Sequence, residues 1–370
     1  MLRKSFFILV AICLSIGFYS DIAAQTNDTL PYKPAIKVKA LIQTRYEATL
    51  TDSVTFSNTI NPDAVNNNFR IRRAELRTDF TFNPDLKGVI RVQIPALKSS
   101  APGAFLELAY AEWRIHPMFQ ITAGQFKVPF DLDELTSQYD LRMIDRGTTN
   151  ALLSANSETS YQPGVMIFGK LKNDRPVFNY YLALQNGSNR SVNFDIDNQK
   201  NLTARVEYFA VKELRLAANV QKVGVEEDNG VAYGGDISWQ NHLNEKNLLI
   251  TEFSYTKGFN SAEFIKDTMD TKSLLDYDMM GYLTQILWKT DLLKQWCRTF
   301  ELGGRYEFTD PLIKTVDNAF NSITGVIGFT FLPDNAARLQ LELSRYIFEQ
   351  EVTGALKNFN RFMVQLQFQI

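Results

Sequence analysis

The feature that most constrains the fold is an alternation of apolar and polar residues with a period of two, which recurs through most of the chain after Pro34. A period of two is the repeat of a β-strand, because successive side chains point to opposite faces. The pattern therefore predicts strands with one apolar face and one polar face. It is clearest in the final segment, where the apolar positions are Phe362, Val364, Leu366, Phe368 and Ile370.

Segment length separates two kinds of sheet that both alternate, the soluble sandwich and the membrane barrel. Strands of soluble proteins are usually about five or six residues long, whereas a tilted strand needs about nine to eleven residues to cross a bilayer. Most of the predicted strands reach about ten residues, which is the length that a bilayer requires. The sixteen segments lie near 36–48, 69–82, 86–95, 104–115, 119–127, 161–172, 177–186, 202–211, 214–222, 231–240, 247–257, 277–289, 299–308, 320–332, 337–348 and 359–370.

The connections between these segments alternate between long and short. The short connections carry turn residues, as in Asn83-Pro84-Asp85 and Pro333-Asp334-Asn335. Long loops on one side and tight turns on the other are typical of bacterial outer-membrane barrels. The sequence therefore predicts an all-β fold, an antiparallel transmembrane β-barrel of about sixteen strands with long extracellular loops and short periplasmic turns.

The N-terminus predicts export. Arg3 and Lys4 precede an apolar run over 6–18, and small residues end at Ala24, which is the pattern of a cleaved signal peptide. We therefore expect a signal peptide at 1–24 and a barrel domain at 25–370, located in the outer membrane. No later segment approaches eighteen uninterrupted apolar residues, so a membrane span has to be built from strands.

Two segments carry a resemblance to a known family. An arginine-rich strand at 69–82 reads FRIRRAELRTDFTF, and 123–130 reads AGQFKVPF before a long connection. In this order after a signal peptide, they resemble the phosphate-selective porin O and P family. The resemblance implies a sixteen-stranded, usually trimeric porin with a constriction loop folded into the pore.

A channel of this kind needs positioned charge, since basic residues in a pore favour anions and acidic residues favour cations. The predicted lumen-facing cations are Lys37, Lys39, Arg45, Arg73, Arg77, Arg91, Arg114 and Lys127. We expect compensating acids to be fewer on these early strands. Two interpretations stay open: the cations guide anionic solutes, or they pair with Glu75 and Asp79 as a scaffold.

The longest connection, 128–160, is the candidate constriction loop. It begins at Pro129, which cannot donate a ladder hydrogen bond, and its charged residues could project into the pore. They are of both signs and predict no clear preference: Asp131, Asp133, Glu134, Arg142 and Arg146.

Other classes of function have little support in the sequence. A formal net charge of -2 gives no reason to expect nucleic-acid binding. The two histidines, His116 and His242, fall in predicted short turns and suit neither a catalytic couple nor a metal site. We predict no enzyme activity, no cofactor and no metal.

The expected function is a water-filled channel for small hydrophilic solutes, with a mild preference for anions or phosphate. The expected partners are outer-membrane lipid, two further copies in a homotrimer, the barrel-assembly machinery, and small anionic or polar solutes. The alternative is a barrel that serves as a receptor, an adhesin or a scaffold without specific transport. Only residues 25–35 separate the predicted cleavage site from the first strand, which is too short for a transporter's plug.

Overall fold

In the computed structural model, residues 34–370 form one closed antiparallel barrel of sixteen strands, as the sequence predicted. Each strand pairs with its neighbours in the chain, and β1 pairs with β16 to close the ring. The structure describes residues 33–55, 60–61, 65–98, 105–171, 178–188, 197–269, 272–292, 294, 297–350 and 357–370. The predicted signal peptide at 1–24 lies outside these residues.

The sixteen strands lie close to their predicted positions. They are β1 Ala35–Thr49, β2 Asn67–Thr81, β3 Leu86–Gln93, β4 Leu106–His116, β5 Phe119–Lys127, β6 Tyr161–Lys170, β7 Phe178–Gln185, β8 Asn201–Val211, β9 Leu214–Val225, β10 Asp228–His242, β11 Asn247–Phe259, β12 Asp278–Asp291, β13 Thr299–Asp310, β14 Phe320–Thr330, β15 Ala337–Phe348 and β16 Phe359–Gln369.

Alternation sorts the side chains between the outer face and the lumen. Leu182, Ile286 and Ile323 are about half exposed on the outside, at 48%, 47% and 52%. The intervening positions carry polar and charged side chains that point into the lumen, such as Arg205 and Glu252. A charge placed near the middle of the outer face would cost about 2–4 kcal/mol in a bilayer, and the sequence keeps that band almost entirely apolar.

The two ends of the barrel differ, and we name them by their connections. The turn end carries the short connections, such as 117–118 and 212–213, and the loop end carries most of the long ones, such as 128–160 and 260–277. One prediction for the loop end was wrong. Residues 223–230 form a tight hairpin between β9 and β10, with only Glu226 and Glu227 outside the strands.

Two β-bulges explain phase breaks in the alternating pattern. Between β1 and β2 the register shifts so that Arg72 has no Cα partner, and between β3 and β4 the extra residue is Glu107. A bulge adds one residue to one strand and reverses the phase beyond it. Phe69 and Ile71 therefore face outwards, at 81% and 57% exposure, although they lie out of phase with Ala74 and Leu76.

The short helices lie in the connections at the loop end. They are α1 Leu132–Leu135, α2 Thr148–Ala155 and α3 Ser261–Lys266, with 3-10 turns at Ile94–Lys98 and Leu274–Asp276 and a further one at Pro333–Asn335 at the turn end. No helix in the described part of the chain is long and apolar enough to cross a membrane. The largest hydrophobic cluster packs the connections 128–160 and 260–277 against the ends of β9–β12 and includes Phe130, Leu153, Phe259, Phe264 and Leu274.

Candidate functional site

The connection 128–160, which we call the inner loop, folds into the lumen. Its two ends meet where the amide of Val128 donates to the carbonyl of Ser160 at 2.9 Å. From there the chain runs through α1 towards the turn end and returns through α2. At its far point the carboxylate of Asp140 accepts from the Asn335 side chain at 2.8 Å, in the turn between β14 and β15. The inner loop therefore spans the lumen from the loop end to the turn end.

Charged side chains bind the inner loop to the wall formed by β11–β15. Each contact joins a loop group to a lumen-facing side chain of that wall, so the loop is fixed along its length. The contacts are Arg142 to Glu252 at 2.8 Å, the Ile144 amide to Glu342 at 2.7 Å, the Thr148 amide to Glu307 at 2.7 Å, Arg338 to the Leu141 carbonyl at 2.9 Å, and Arg305 to the Asp145 carbonyl at 2.9 Å.

A second set of contacts reaches β1, which is separated from β15 by β16. Arg45 on β1 donates two hydrogen bonds to the carboxylate of Asp145, at 2.8 and 2.9 Å. The Gln43 side chain donates to the carbonyl of Gln138 at 3.3 Å. A paired, two-point bond between guanidinium and carboxylate is strong and directional, and it fixes the middle of the inner loop against β1.

The inner loop leaves one side of the lumen open. The wall formed by β11–β15 is covered by the inner loop. Its lumen-facing side chains are 1% exposed at Glu301, Glu342 and Arg338, although Glu301 and Arg338 lie near the turn end. On the opposite wall, the side chains of Arg77 and Arg114, also near the turn end, keep 33% and 44% of their surface exposed. The lumen is therefore open beside Arg77 and Arg114 on β2 and β4, whereas the side chains of β13 and β15 near the same end are covered.

A cavity of about 710 Å³ lies at the loop end between the inner loop and β2, β3 and β16. It is lined by five arginines, Arg70, Arg72, Arg73, Arg146 and Arg361, and by three carboxylates, Glu107, Glu134 and Asp145. Five positive and three negative charges leave a formal charge of +2. Low-dielectric walls focus such a field and concentrate counter-ions.

The bulges set the charge of this cavity. Arg72 is the extra residue of the β2 bulge and lies 3.7 Å from Asp145, while Arg70, beyond the bulge, pairs with Glu47 at 2.8 Å. Three arginines within four positions thus face the lumen, where strict alternation would admit only two. On β4 the bulged Glu107 pairs with Arg91 at 2.9 Å.

A chain of hydrogen bonds closes the bottom of the cavity. Arg73 donates to Gln43 at 2.7 Å, and Gln43 donates to the carbonyl of Gln138. The Gln138 side chain donates to the Tyr161 hydroxyl at 3.2 Å, and Arg91 donates to the same hydroxyl. This chain, which we call the crossbar, joins β1, β2, β3 and β6 through the inner loop.

The predicted cations occur on lumen-facing positions, and most of them are paired with a carboxylate, although the acids on the early strands are fewer than the cations. Seven of the eight have a carboxylate within 4 Å, while Lys37 is exposed near the turn end. The pairs are Lys39–Asp79 at 2.8 Å, Arg45–Asp145 at 2.8 Å, Arg73–Glu75 at 3.8 Å, Arg77–Asp79 at 2.6 Å, Arg91–Glu107 at 2.9 Å, Arg114–Glu112 at 2.5 Å and Lys127–Glu134 at 3.7 Å.

The acids of the inner loop mostly stabilise the loop itself. Asp131 caps α1 and accepts from Asn150 at 3.0 Å, and Asp133 accepts from the Gly147 amide. Arg146 donates to the carbonyls of Asp133, Glu134 and Thr136 at 2.7–3.1 Å. Only Glu134 of the three acids lines the cavity, so the expectation that all three could project into the pore was too broad.

Sequence reasoning missed Arg70, Arg72 and Arg361, which line the cavity. The phase break at Phe69 and Ile71 was a usable signal for the two residues of β2. Arg361 lies on the polar face of the last strand and donates to the Tyr346 hydroxyl at 2.8 Å. Arg361 lines the cavity because β16 pairs with β1 to close the barrel. The alternating pattern of the sequence does not show how this pairing places the side chain.

Two further features concern chemistry outside the pore. The described residues contain no group of three or more histidine, cysteine, aspartate or glutamate side chains that could hold a metal ion. In the connection 260–277, the Tyr277 hydroxyl donates a hydrogen bond to Asp267 and lowers the pKa of that carboxyl. This bond joins two residues of the same connection.

Comparison with solved structures shows the same architecture. The channel DcaP of Acinetobacter baumannii is similar over 91% of this chain and 97% of its own, with 14% identity and a TM-score of 0.61. An anion-selective porin from Comamonas acidovorans is similar over 91% and 100%, with 11% identity and a TM-score of 0.59. Salmonella typhi OmpF, in complex with daunomycin, is similar over 90% and 97%, with 12% identity and a TM-score of 0.58.

Comparison of the sequence itself gives the family. No curated protein matches the chain. The family model of the phosphate-selective porins O and P matches residues 51–292, which include the arginine-rich β2, the inner loop and most of the open wall. With the closed sixteen-stranded barrel, this match establishes that the chain belongs to the phosphate-selective porin O and P family.

Proposed function

We propose that this barrel is an outer-membrane porin that conducts small hydrophilic solutes along its open side and prefers anions. The observation that carries the proposal is the loop-end cavity, where five arginines face three carboxylates above the crossbar. A solute entering at the loop end meets a net positive field before the crossbar. Family membership and the barrel both favour a channel over an enzyme.

We infer the orientation from the connections. Outer-membrane barrels place long loops outside the cell and short turns in the periplasm. The loop-end cavity would then be the extracellular vestibule, and the cations Lys39, Arg77 and Arg114 would line the periplasmic half. The inner loop 128–160 would act as the constriction, and residues 1–24 would be a signal peptide removed during export.

Conduction and its salt dependence test the function. In planar bilayers the purified protein is expected to conduct, and its reversal potential under a salt gradient should indicate mild anion preference. The preference should weaken as salt rises, because the screening length falls from about 10 Å at 0.1 M to about 3 Å at 1 M. A protein that is folded, as judged by heat-modifiable migration, but does not conduct would contradict the proposal.

Location and assembly form a separate prediction. Because the outer face is apolar, the protein is expected to fractionate with outer membranes after delivery by the barrel-assembly machinery. The family resemblance implies a homotrimer, so light scattering in mild detergent should return three times the mass of the mature chain. Recovery as a detergent-free soluble monomer would contradict the membrane location, and a monomer mass in detergent would contradict the trimer.

A further inference from the structure

Four apolar or aromatic side chains face the lumen on the open wall, and we call them the aromatic strip: Tyr110, Met166, Phe168 and Tyr181. Their direction follows from their neighbours, since Val165 on β6 and Leu182 on β7 are exposed on the outer face, at 46% and 48%. The adjacent residues in each strand must then point inwards.

The members of the strip are neighbours across the wall. Phe168 and Tyr181 are directly paired on β6 and β7, with ring centroids 6.1 Å apart and ring planes within 6° of each other. Met166 is two residues from Phe168 on the same face. Tyr110 on β4 pairs with Gly124 on β5, and Gly124 pairs with Gly164 on β6. Because glycine has no side chain, none projects into the lumen from these two positions between Tyr110 and Met166.

The strip is partly exposed, whereas other lumen-facing apolar side chains of the wall, such as Val89 and Leu287, are buried. All four side chains are intermediate in burial, because the inner loop is bound to the opposite wall. The interior of a water-filled barrel normally carries polar side chains, and packing within the wall does not explain rings left open to the pore. Two parallel, partly exposed rings give the open wall an apolar surface on which an apolar face of a ligand can pack.

The border of the strip carries hydrogen-bonding and charged groups. Lys170 is exposed, lies two residues from Phe168 on the same face of β6, and pairs with Asn179 on β7. Arg205, which pairs with Tyr181 across β7 and β8, is balanced by Asp236 at 2.7 Å and by Glu207 at 3.1 Å. A ligand with an apolar face and a rim of hydroxyl groups matches this surface, because an ammonium group donates hydrogen bonds to hydroxyl oxygens.

We propose that the aromatic strip is a binding subsite for the pyranose rings of saccharides. The C–H face of the sugar packs on Phe168 and Tyr181, and its hydroxyls accept hydrogen bonds from exposed polar groups at the border such as the Lys170 ammonium. Few polar contacts on an apolar surface are what small-molecule sites generally show. The proposal rests on the proposed function, because a sugar reaches the strip only through an open pore.

The test is block of the ion current by maltotriose in planar bilayers. Wild-type protein is expected to show a saturable, concentration-dependent fall in current, and sorbitol, an open-chain polyol, is expected to show none. Phe168→Ala should weaken the apparent affinity for maltotriose at least about fivefold, while Phe168→Tyr should retain it. Phe178→Ala, on the outer face of β7, is the matched control, and maltotriose should block its current as it blocks the wild-type current.

The outcomes separate the two proposals. A folded barrel without conductance overturns the porin function. A conducting barrel that maltotriose does not block, or blocks equally in wild type and Phe168→Ala, overturns the sugar subsite alone. If Phe168→Ala fails to fold, Tyr110→Ala on β4 takes its place with the same expected loss of affinity.

Discussion

Replacement of Arg72 and Arg361 by glutamate is expected to reverse the ion preference of the pore. The two substitutions change the charge of the loop-end cavity by -4, from +2 to -2. Acidic linings favour cations as basic ones favour anions. Both sites should accept the change: Arg72 keeps 37% of its side chain exposed, and the Tyr346 hydroxyl beside Arg361 can donate to a carboxylate.

The measurement is the reversal potential under a salt gradient, whose sign should be opposite in wild type and the double variant. The control is Lys212→Glu with Lys266→Glu, which changes the net charge of the protein equally at two exposed positions outside the cavity. The control should keep the wild-type sign. An unchanged sign in the cavity variant would show that the preference is set elsewhere in the pore.

Asp145→Ala is expected to release the inner loop and to raise the conductance. The substitution removes two of the three hydrogen bonds that the Arg45 guanidinium donates, and the Arg45 side chain is 0% exposed. Breaking a buried ion pair costs about 3–5 kcal/mol, and the lower end applies because Glu47 still lies 3.7 Å from Arg45 and 21% of the Asp145 side chain is exposed. About 3 kcal/mol raises the undocked fraction of the loop roughly a hundredfold.

Single-channel conductance and proteolysis in detergent both report on the loop. Asp145→Ala should show larger, noisier openings and faster cleavage within 128–160. Asp140→Ala is the matched control, because its carboxylate, which lies on the same loop, has one hydrogen bond to Asn335 and its loss should matter less. Equal conductance and equal cleavage in the two variants would show that the Arg45 pair does not hold the loop.

The fold was predictable because alternation, strand length and turn residues are local properties of the sequence. The same locality explains the wrong connection at 223–230: the predicted strands 214–222 and 231–240 were too short, and two residues suffice to connect β9 and β10. Composition alone does not distinguish a long strand with polar residues at its end from a shorter strand followed by a loop.

The candidate site was predictable only in part. The alternation of inward and outward positions identified lumen-facing cations such as Arg45 and Arg91, because this alternation is also a local property of the sequence. Their charge partners could not be found, since Asp145 lies 100 residues from Arg45 in the chain. Whether a lumen charge is balanced depends on which strands and loops meet across the barrel, and period-two patterns carry no information on that.

The position of the inner loop also dictates the order in which the protein assembles. The loop is bound to β1 through Arg45 and to β15 through Glu342, which is 198 residues beyond its partner Ile144. Contacts of such sequence separation form late, and these two require that both halves of the ring be present. We therefore expect the docking of the inner loop to be completed only after β15 is in place.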